Sequence, residues 1–206
     1  MLVIGMTGGI GCGKSHVCKY LKAHYDAEII LTDDVANEIC EPGGRVYDEV
    51  KALLGDEYYN EDGTRNRALI GNRAFREPEL LEQMNAIIHP AVRLEVEDRL
   101  AAAAEEGKEV AVVEAALLIE AGYRDICTEY WYVYASEETR IERLLASRPI
   151  TVEKIKDVMA RQLTEEEFRA GCDFTVDNDG DTAYTDVQVD ARMKFLFEQV
   201  AISALV

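Results

Sequence analysis

Gly8-Gly9-Ile10-Gly11-Cys12-Gly13-Lys14-Ser15 matches the pattern G-x-x-x-x-G-K-S/T. Each residue type in it has a chemical use. Glycines let the backbone turn so that successive N–H groups converge on phosphate oxygens. A helix opening near Lys14 would present its positive end to the same anion. Lys14 would reach the terminal phosphates, and the Ser15 hydroxyl would ligate a magnesium ion. The pattern therefore points to nucleoside triphosphate binding. It does not name an acceptor.

The flanking elements fit that use. Leu2 to Gly5 is a short apolar run that reads as a buried strand, and Ser15 to Ala23 reads as a helix with Val17 and Leu21 on one face. Glu28 to Leu31 is a second strand, stopping at Thr32-Asp33-Asp34. Asp33 follows that strand directly, where a base for an acceptor hydroxyl would stand. The competing reading is that Asp33 or Asp34 caps the next helix. Val110 to Val113 is a third strand, and Glu114 at its end is placed to hold a metal ion through water. An acid satisfied at a helix start is the other reading there.

Further along, Leu80, Leu81, Met84, Ile87 and Ile88 share one helix face. Pro90 is expected to interrupt that pattern, and Val92, Val96 and Leu100 restart it. Gly107 suits a helix C-terminus. Tyr130 to Tyr134 reads as a fourth strand. Ser136 can cap a helix that buries Ile141, Leu144 and Leu145 and ends at Pro149. Residues 151 to 169 form a charged helical stretch, in which Thr164 and Glu167 could make a capping box. Phe174 to Val176 is a fifth strand. The last helix runs from about Asp181 to near the C-terminus. Apolar strands alternating with helices argue for an α/β fold, a parallel sheet of about five strands with helices on both faces.

Composition sets limits on this reading. The 206 residues suit one domain, and 48% hydrophobic content supplies a core. Lys plus Arg is 22 against 40 Asp plus Glu, a net charge of -18. Such a surface repels nucleic-acid phosphates and anionic lipid. An anion is then held only by a local device. The scarce cations gather at residues 140 to 169 as Arg140, Arg143, Arg148, Lys154, Lys156, Arg161 and Arg169. A mobile lid carrying arginines would exclude water and neutralise a transferring phosphoryl group. For each arginine taken singly, a solvated ion pair on a helix is the better reading.

Cys12, Cys18, Cys40, Cys127 and Cys172 are odd in number and lack C-x-x-C spacing, which suits reduced thiols. Cys12 stands beside Lys14 and a helix N-terminus, a setting expected to lower its pKa. His16, His24 and His89 form no metal-ligand pattern with them. Met1 to Gly9 shows no basic leader before a long apolar run, so it does not read as a signal peptide, and no apolar run approaches the roughly 20 residues of a membrane span. A cytoplasmic protein, a monomer or weak homo-oligomer without nucleic-acid or membrane partners, is expected. A guanine-reading N-K-x-D segment is absent. A small-molecule kinase fits the length better than a motor or helicase.

These residues together resemble the dephospho-coenzyme A kinase family, over nearly the whole chain. The likeness begins with Met6-Thr7-Gly8 through Ser15. It continues with Thr32-Asp33, Ala36, Glu41-Pro42-Gly43, Asp62-Gly63 with Arg67, and His89-Pro90. Glu114 to Glu120, the arginines at 140, 143 and 148, Gln162, and Asp173 to Gly180 complete it. Cys12 and His16 replace the family's usual Ser and Thr, Ala116 stands where Pro is frequent, and the family's common D-x-D has only its second acid, Asp33, preceded by Thr32.

The resemblance implies a P-loop kinase fold. Its core would be residues 1–34, 108–136 and 171–206, with a helical substrate region at 35–107 and a lid at 137–170. It implies transfer of the ATP γ-phosphate, with Mg²⁺, to the ribose 3′-hydroxyl of dephospho-coenzyme A. Asp33, Lys14 and Arg143 would carry catalysis. Gly8, Gly9, Gly11, Cys12, Gly13, Lys14, Ser15 and His16, with Arg140 and Arg148, would bind nucleotide. Thr7, Asp33, Arg67, His89 and Leu117 would meet the acceptor, and Ser15 and Glu114 the metal. Another nucleoside or nucleotide kinase, or a silent nucleotide-binding switch, are the alternatives.

Overall fold

A computed structural model of the chain describes residues 1–203. Five strands form one sheet in the order β2-β3-β1-β4-β5. They are β1 (Leu2–Thr7), β2 (Glu28–Leu31), β3 (Val110–Glu114), β4 (Glu129–Tyr134) and β5 (Phe174–Asp177). β1 runs parallel to β3 and to β4, and β4 parallel to β5. Every residue of β1 is buried. That is why the sequence shows an unbroken apolar run there instead of the alternation of a half-exposed strand.

The chain divides into two compact units, residues 1–29 with 103–206, and residues 30–102. The first contains the sheet core. Ile4, Met6, Val112, Trp131 and Val133 pack with Val17 and Leu21 of helix α1 (Lys14–Tyr25). Its other helices are α6 (Glu137–Ser147), α7 (Val152–Met159), α8 (Glu165–Gly171) and α9 (Thr182–Ser203). α9 is tied to the sheet by a charge: Arg192 Nε donates to Glu129 Oε2 at 3.0 Å, and Trp131 Nε1 donates to the same oxygen at 2.7 Å. Glu129 is buried, so both bonds offset its desolvation. The expected run of the last helix on to the C-terminus, over residues 204–206, lies outside the described residues.

The second unit is helical, with α2 (Thr32–Glu38), α3 (Tyr47–Leu54), α4 (Arg67–Arg76) and α5 (Pro78–Glu105). Here one expectation fails. α5 is a single helix of 28 residues with Pro90 inside it. A mid-helix proline costs about 3 kcal/mol. The buried stripe of Met84, Ala91, Val92, Val96 and Leu100 continues across the site, so packing on both sides outweighs the local penalty. A second expectation also fails, because α6 buries only Leu144. Ile141 is partly covered, and Leu145 is 45% exposed.

Capping follows the sequence closely. Ser136 accepts from the Thr139 amide, and Thr164 and Glu167 form the reciprocal capping box. The Gly107 amide bonds back to Ala104 and that of Lys108 to Ala103, with Gly107 at φ 81° closing α5.

Candidate active site

The loop between β1 and α1 is shaped for an anion. α1 begins at Lys14, its cap Gly13 offers no side chain, and its first turn holds no acid. In a chain of 40 acidic residues, this leaves a helix N-terminus with its positive end uncompensated. Gly13 sits at φ 96°, and a Cβ there would fall on the Asn178 side-chain amide. A Cβ at Gly9 would fall on the Arg140 guanidinium. Both glycines thus admit close neighbours as well as the turn.

Lys14 folds back over the loop. Its Nζ donates to the Gly8 carbonyl at 2.8 Å and lies 3.4 Å from Glu114 Oε1. The end of β3 therefore presents its acid to the loop lysine. The Ser15 side chain is exposed beside them.

α6 braces the loop from its other side. Leu144 packs where a Cβ on Gly11 would come within 3.0 Å of its Cγ. One turn earlier, Arg140 Nε donates to the Ile10 carbonyl at 2.8 Å. Arg143 Nη1 donates to the Cys12 carbonyl at 3.3 Å, and Nη2 to the Asn178 carbonyl at 2.8 Å. The two arginines expected to neutralise phosphate thus hold backbone carbonyls of the loop. Arg148, the cap at the end of α6, is exposed.

Asn178 is a site residue to which the sequence reading gave no role, placing it only within the Asp173–Gly180 resemblance. It is buried, its Nδ2 donates to the Cys12 carbonyl at 2.8 Å, and its Oδ1 accepts from Thr185 Oγ1 at 2.9 Å. Asp179 beside it accepts from the Ser136 amide at 2.7 Å. By residue type alone the polar run Asp177-Asn178-Asp179-Gly180 directly after an apolar strand reads as a turn, and the resemblance of that segment was the further signal.

Other expected residues fall into different settings. His16 Nε2 lies 2.8 Å from Asp186 Oδ1 on α9, which engages the ring within the protein. Thr7 is fully buried and its hydroxyl donates to the Ala116 carbonyl at 3.4 Å, so its side chain is closed to an acceptor. Leu117 is 56% exposed in the turn after β3. Cys12 corrects the sequence argument. Burial pushes its thiol pKa up, and the pull of Lys14 does not offset it.

Asp33, Arg67 and His89 belong to the second unit. Asp33 is exposed in the first turn of α2, directly after β2. Asp62 Oδ1 accepts from the Thr64 amide and hydroxyl, at 2.9 and 2.6 Å, in a tight turn at Gly63. These bonds hold the Asp62 carboxyl below its ordinary pKa. The turn sends Arg65 inward, where Nε donates to Glu41 Oε1 at 3.2 Å and Nη2 to the Asn37 carbonyl at 3.1 Å. Arg67 lies 3.5 Å from the same Glu41 with its side chain 63% exposed. His89 is exposed on α5. Among the described residues no cluster of three or more His, Cys, Asp or Glu could hold a metal ion, and no helix is long and apolar enough to cross a membrane.

The dephospho-CoA kinase family model matches residues 2–184. A dephospho-CoA kinase of Thermobifida fusca is 34% identical over 97% of this chain and 96% of its own. Among solved structures, dephospho-CoA kinase from Campylobacter jejuni superposes with a TM-score of 0.70 at 19% identity, covering 94% of this chain and 96% of that one. Shikimate kinase from Acinetobacter baumannii shares the fold, with a TM-score of 0.55 at 15% identity, covering 97% and 94%. The sheet is therefore that of the P-loop kinases, and the chain belongs to the dephospho-CoA kinase family.

Proposed function

We propose that this chain transfers the γ-phosphate of ATP to the ribose 3′-hydroxyl of dephospho-coenzyme A, the final step of coenzyme A biosynthesis. The observation that carries this reading is the loop of residues 8–15, with Lys14 held between the Gly8 carbonyl and Glu114, in a chain whose family match runs through both units.

In this reading the loop amides and Lys14 bind the β- and γ-phosphates, and the positive end of α1 adds to their field. Asp33 accepts the proton of the 3′-hydroxyl as its oxygen attacks phosphorus. The bond from the γ-phosphorus to the β–γ bridging oxygen breaks, and ADP leaves with that oxygen. Asp33 is exposed in the first turn of α2, where an acceptor hydroxyl can reach its carboxylate. Arg140 and Arg143 support the loop while adding positive charge beside it, and Arg148 is available to a phosphate from the end of α6. Arg67, largely exposed, offers a cation to the anionic acceptor, with His89 and Leu117 as further contacts.

The donors near the loop fit a magnesium ion, since the Ser15 hydroxyl and Glu114 carboxylate are hard oxygen ligands. When bound, Mg²⁺ neutralises charge on the phosphate oxygens. Residues 137–170 would serve as a lid, and the protein would act in the cytoplasm.

The test is incubation of the purified protein with Mg²⁺-ATP and dephospho-coenzyme A, with products followed by mass. ADP and coenzyme A in equal amounts are expected. ATP binding without coenzyme A formation would overturn the acceptor.

A further inference from the structure

Gln162 lies between α7 and α8, outside any helix, yet it reaches the tip of the phosphate loop. The Ile10 amide donates to Gln162 Oε1 at 3.0 Å. Arg140 Nη2 donates to the same oxygen at 3.0 Å, while Arg140 Nε donates to the Ile10 carbonyl at 2.8 Å. One side-chain oxygen thus receives two N–H bonds. One comes from the loop tip, and the other from the guanidinium that holds the opposite side of the same residue.

The geometry gives this oxygen a particular effect. A guanidinium is a planar fork whose orientation is fixed only when two of its N–H groups are bound. With Gln162 Oε1 in place, Arg140 is held at both Nε and Nη2. Without it, the fork keeps one of these two bonds and can rotate, and the Ile10 amide loses this acceptor. The tip would then lose two of the three hydrogen bonds described here.

We infer that Gln162 is a positioning residue for nucleotide binding. It fixes the loop tip and the plane of Arg140 together, so that the loop amides are aligned before phosphate arrives. Preorganisation of this kind is expressed as affinity, because the bound geometry need not be ordered on binding. The inference rests on the loop being the ATP site. A purely architectural role in joining α7 to α8 would instead lower thermal stability and leave nucleotide affinity of the folded protein unchanged.

The test compares Gln162→Met and Gln162→Asn with Gln162→Glu. Met keeps the length without an acceptor, and Asn withdraws the acceptor by one methylene. Glu keeps an oxygen that can receive both bonds. Affinity for a non-hydrolysable ATP analogue with Mg²⁺ is measured by calorimetry, below the unfolding midpoint of each variant. Met and Asn are expected to weaken the analogue about tenfold, the scale of a lost hydrogen bond to a charged group. The KM for dephospho-coenzyme A should stay within about twofold, and Glu should recover most of the lost affinity. Wild-type affinity in a folded Met or Asn variant, or Glu binding no better than Met, would overturn the inference. The titration needs no acceptor, so a wrong acceptor assignment leaves its result standing. A wild-type protein that binds no nucleotide overturns both readings.

Discussion

Lys14 and Glu114 are joined across two neighbouring strands, with Nζ 3.4 Å from Oε1. β1 and β3 lie in parallel register with Met6 opposite Glu114, so the acid at the end of β3 stands beside the loop that leaves β1. The pair turns the ammonium back over the loop, where it donates to the Gly8 carbonyl. Removing that charge should disable phosphate binding more than folding. Lys14→Ala is expected to lower turnover by about 10²–10³-fold or more, the scale of a lost transition-state donor. Its circular dichroism should match wild type. Near-normal turnover in this variant would contradict the phosphate role.

Asp33 can be separated from the loop by its kinetic signature. It lies in the second unit and contributes no loop amide or phosphate-facing cation. Asp33→Asn should lower kcat by about 10²–10⁴-fold, the usual contribution of a general base. The KM for ATP should change little. Equal losses in kcat and in ATP affinity would instead place Asp33 in nucleotide binding.

The site was legible where chemistry is local and illegible where it depends on distant chain. The run Gly8 to Ser15 carries its own turn, helix start and cation, so its position between β1 and α1 followed from eight residues. The capping box at Thr164 and Glu167 is equally local, and the structure has both of its bonds. Asn178 bonds to a carbonyl 166 residues earlier, which no spacing rule exposes. Arg65 and Arg67 are indistinguishable by type. Only the turn at Asp62-Gly63 decides that Arg65 goes inward and Arg67 outward. Pro90 misled because tertiary burial overrode a correct local penalty.

Cys12 illustrates the same limit and makes a labelling prediction. Proximity to Lys14 suggested a reactive thiolate, but the side chain is buried and its pKa is raised by desolvation. Iodoacetamide at neutral pH should leave Cys12 unmodified in the native protein and modify it after unfolding, as peptide mass mapping would read. Rapid native labelling that ATP blocks would restore the reactive-thiol view.

Tyr59 makes a stability prediction of opposite sign to most core changes. Its hydroxyl is buried and has no hydrogen-bond partner among the described residues. Burial also pushes its pKa up to about 12. The ring packs edge-on against Tyr47 at 5.6 Å, a contact phenylalanine retains. Tyr59→Phe removes an unsatisfied polar group without removing the ring. It should leave stability unchanged or raise it by up to about 1 kcal/mol. A clear fall in the urea midpoint would show that the hydroxyl contributes a bond.

Asp179 connects the loop after β5 to the start of α6, and its titration should appear in the acid limb of stability. Bonds from Ser136, the side chain first and then the backbone amide, lower its pKa from the ordinary value of 3.8. A depressed carboxylate favours the folded state once the unfolded chain would ionise. Its contribution is therefore present above about pH 4 and is lost as pH falls through the folded value. Asp179→Asn keeps an oxygen that can accept from Ser136 but cannot titrate. At neutral pH the variant should be less stable than wild type, because a charge-assisted bond has become a neutral one. As pH falls from about 4 through the lowered folded-state value, the two urea midpoints should converge as the wild-type carboxylate protonates. A stability gap that stays constant over that range would mean that Asp179 does not titrate differently in the folded and unfolded chain.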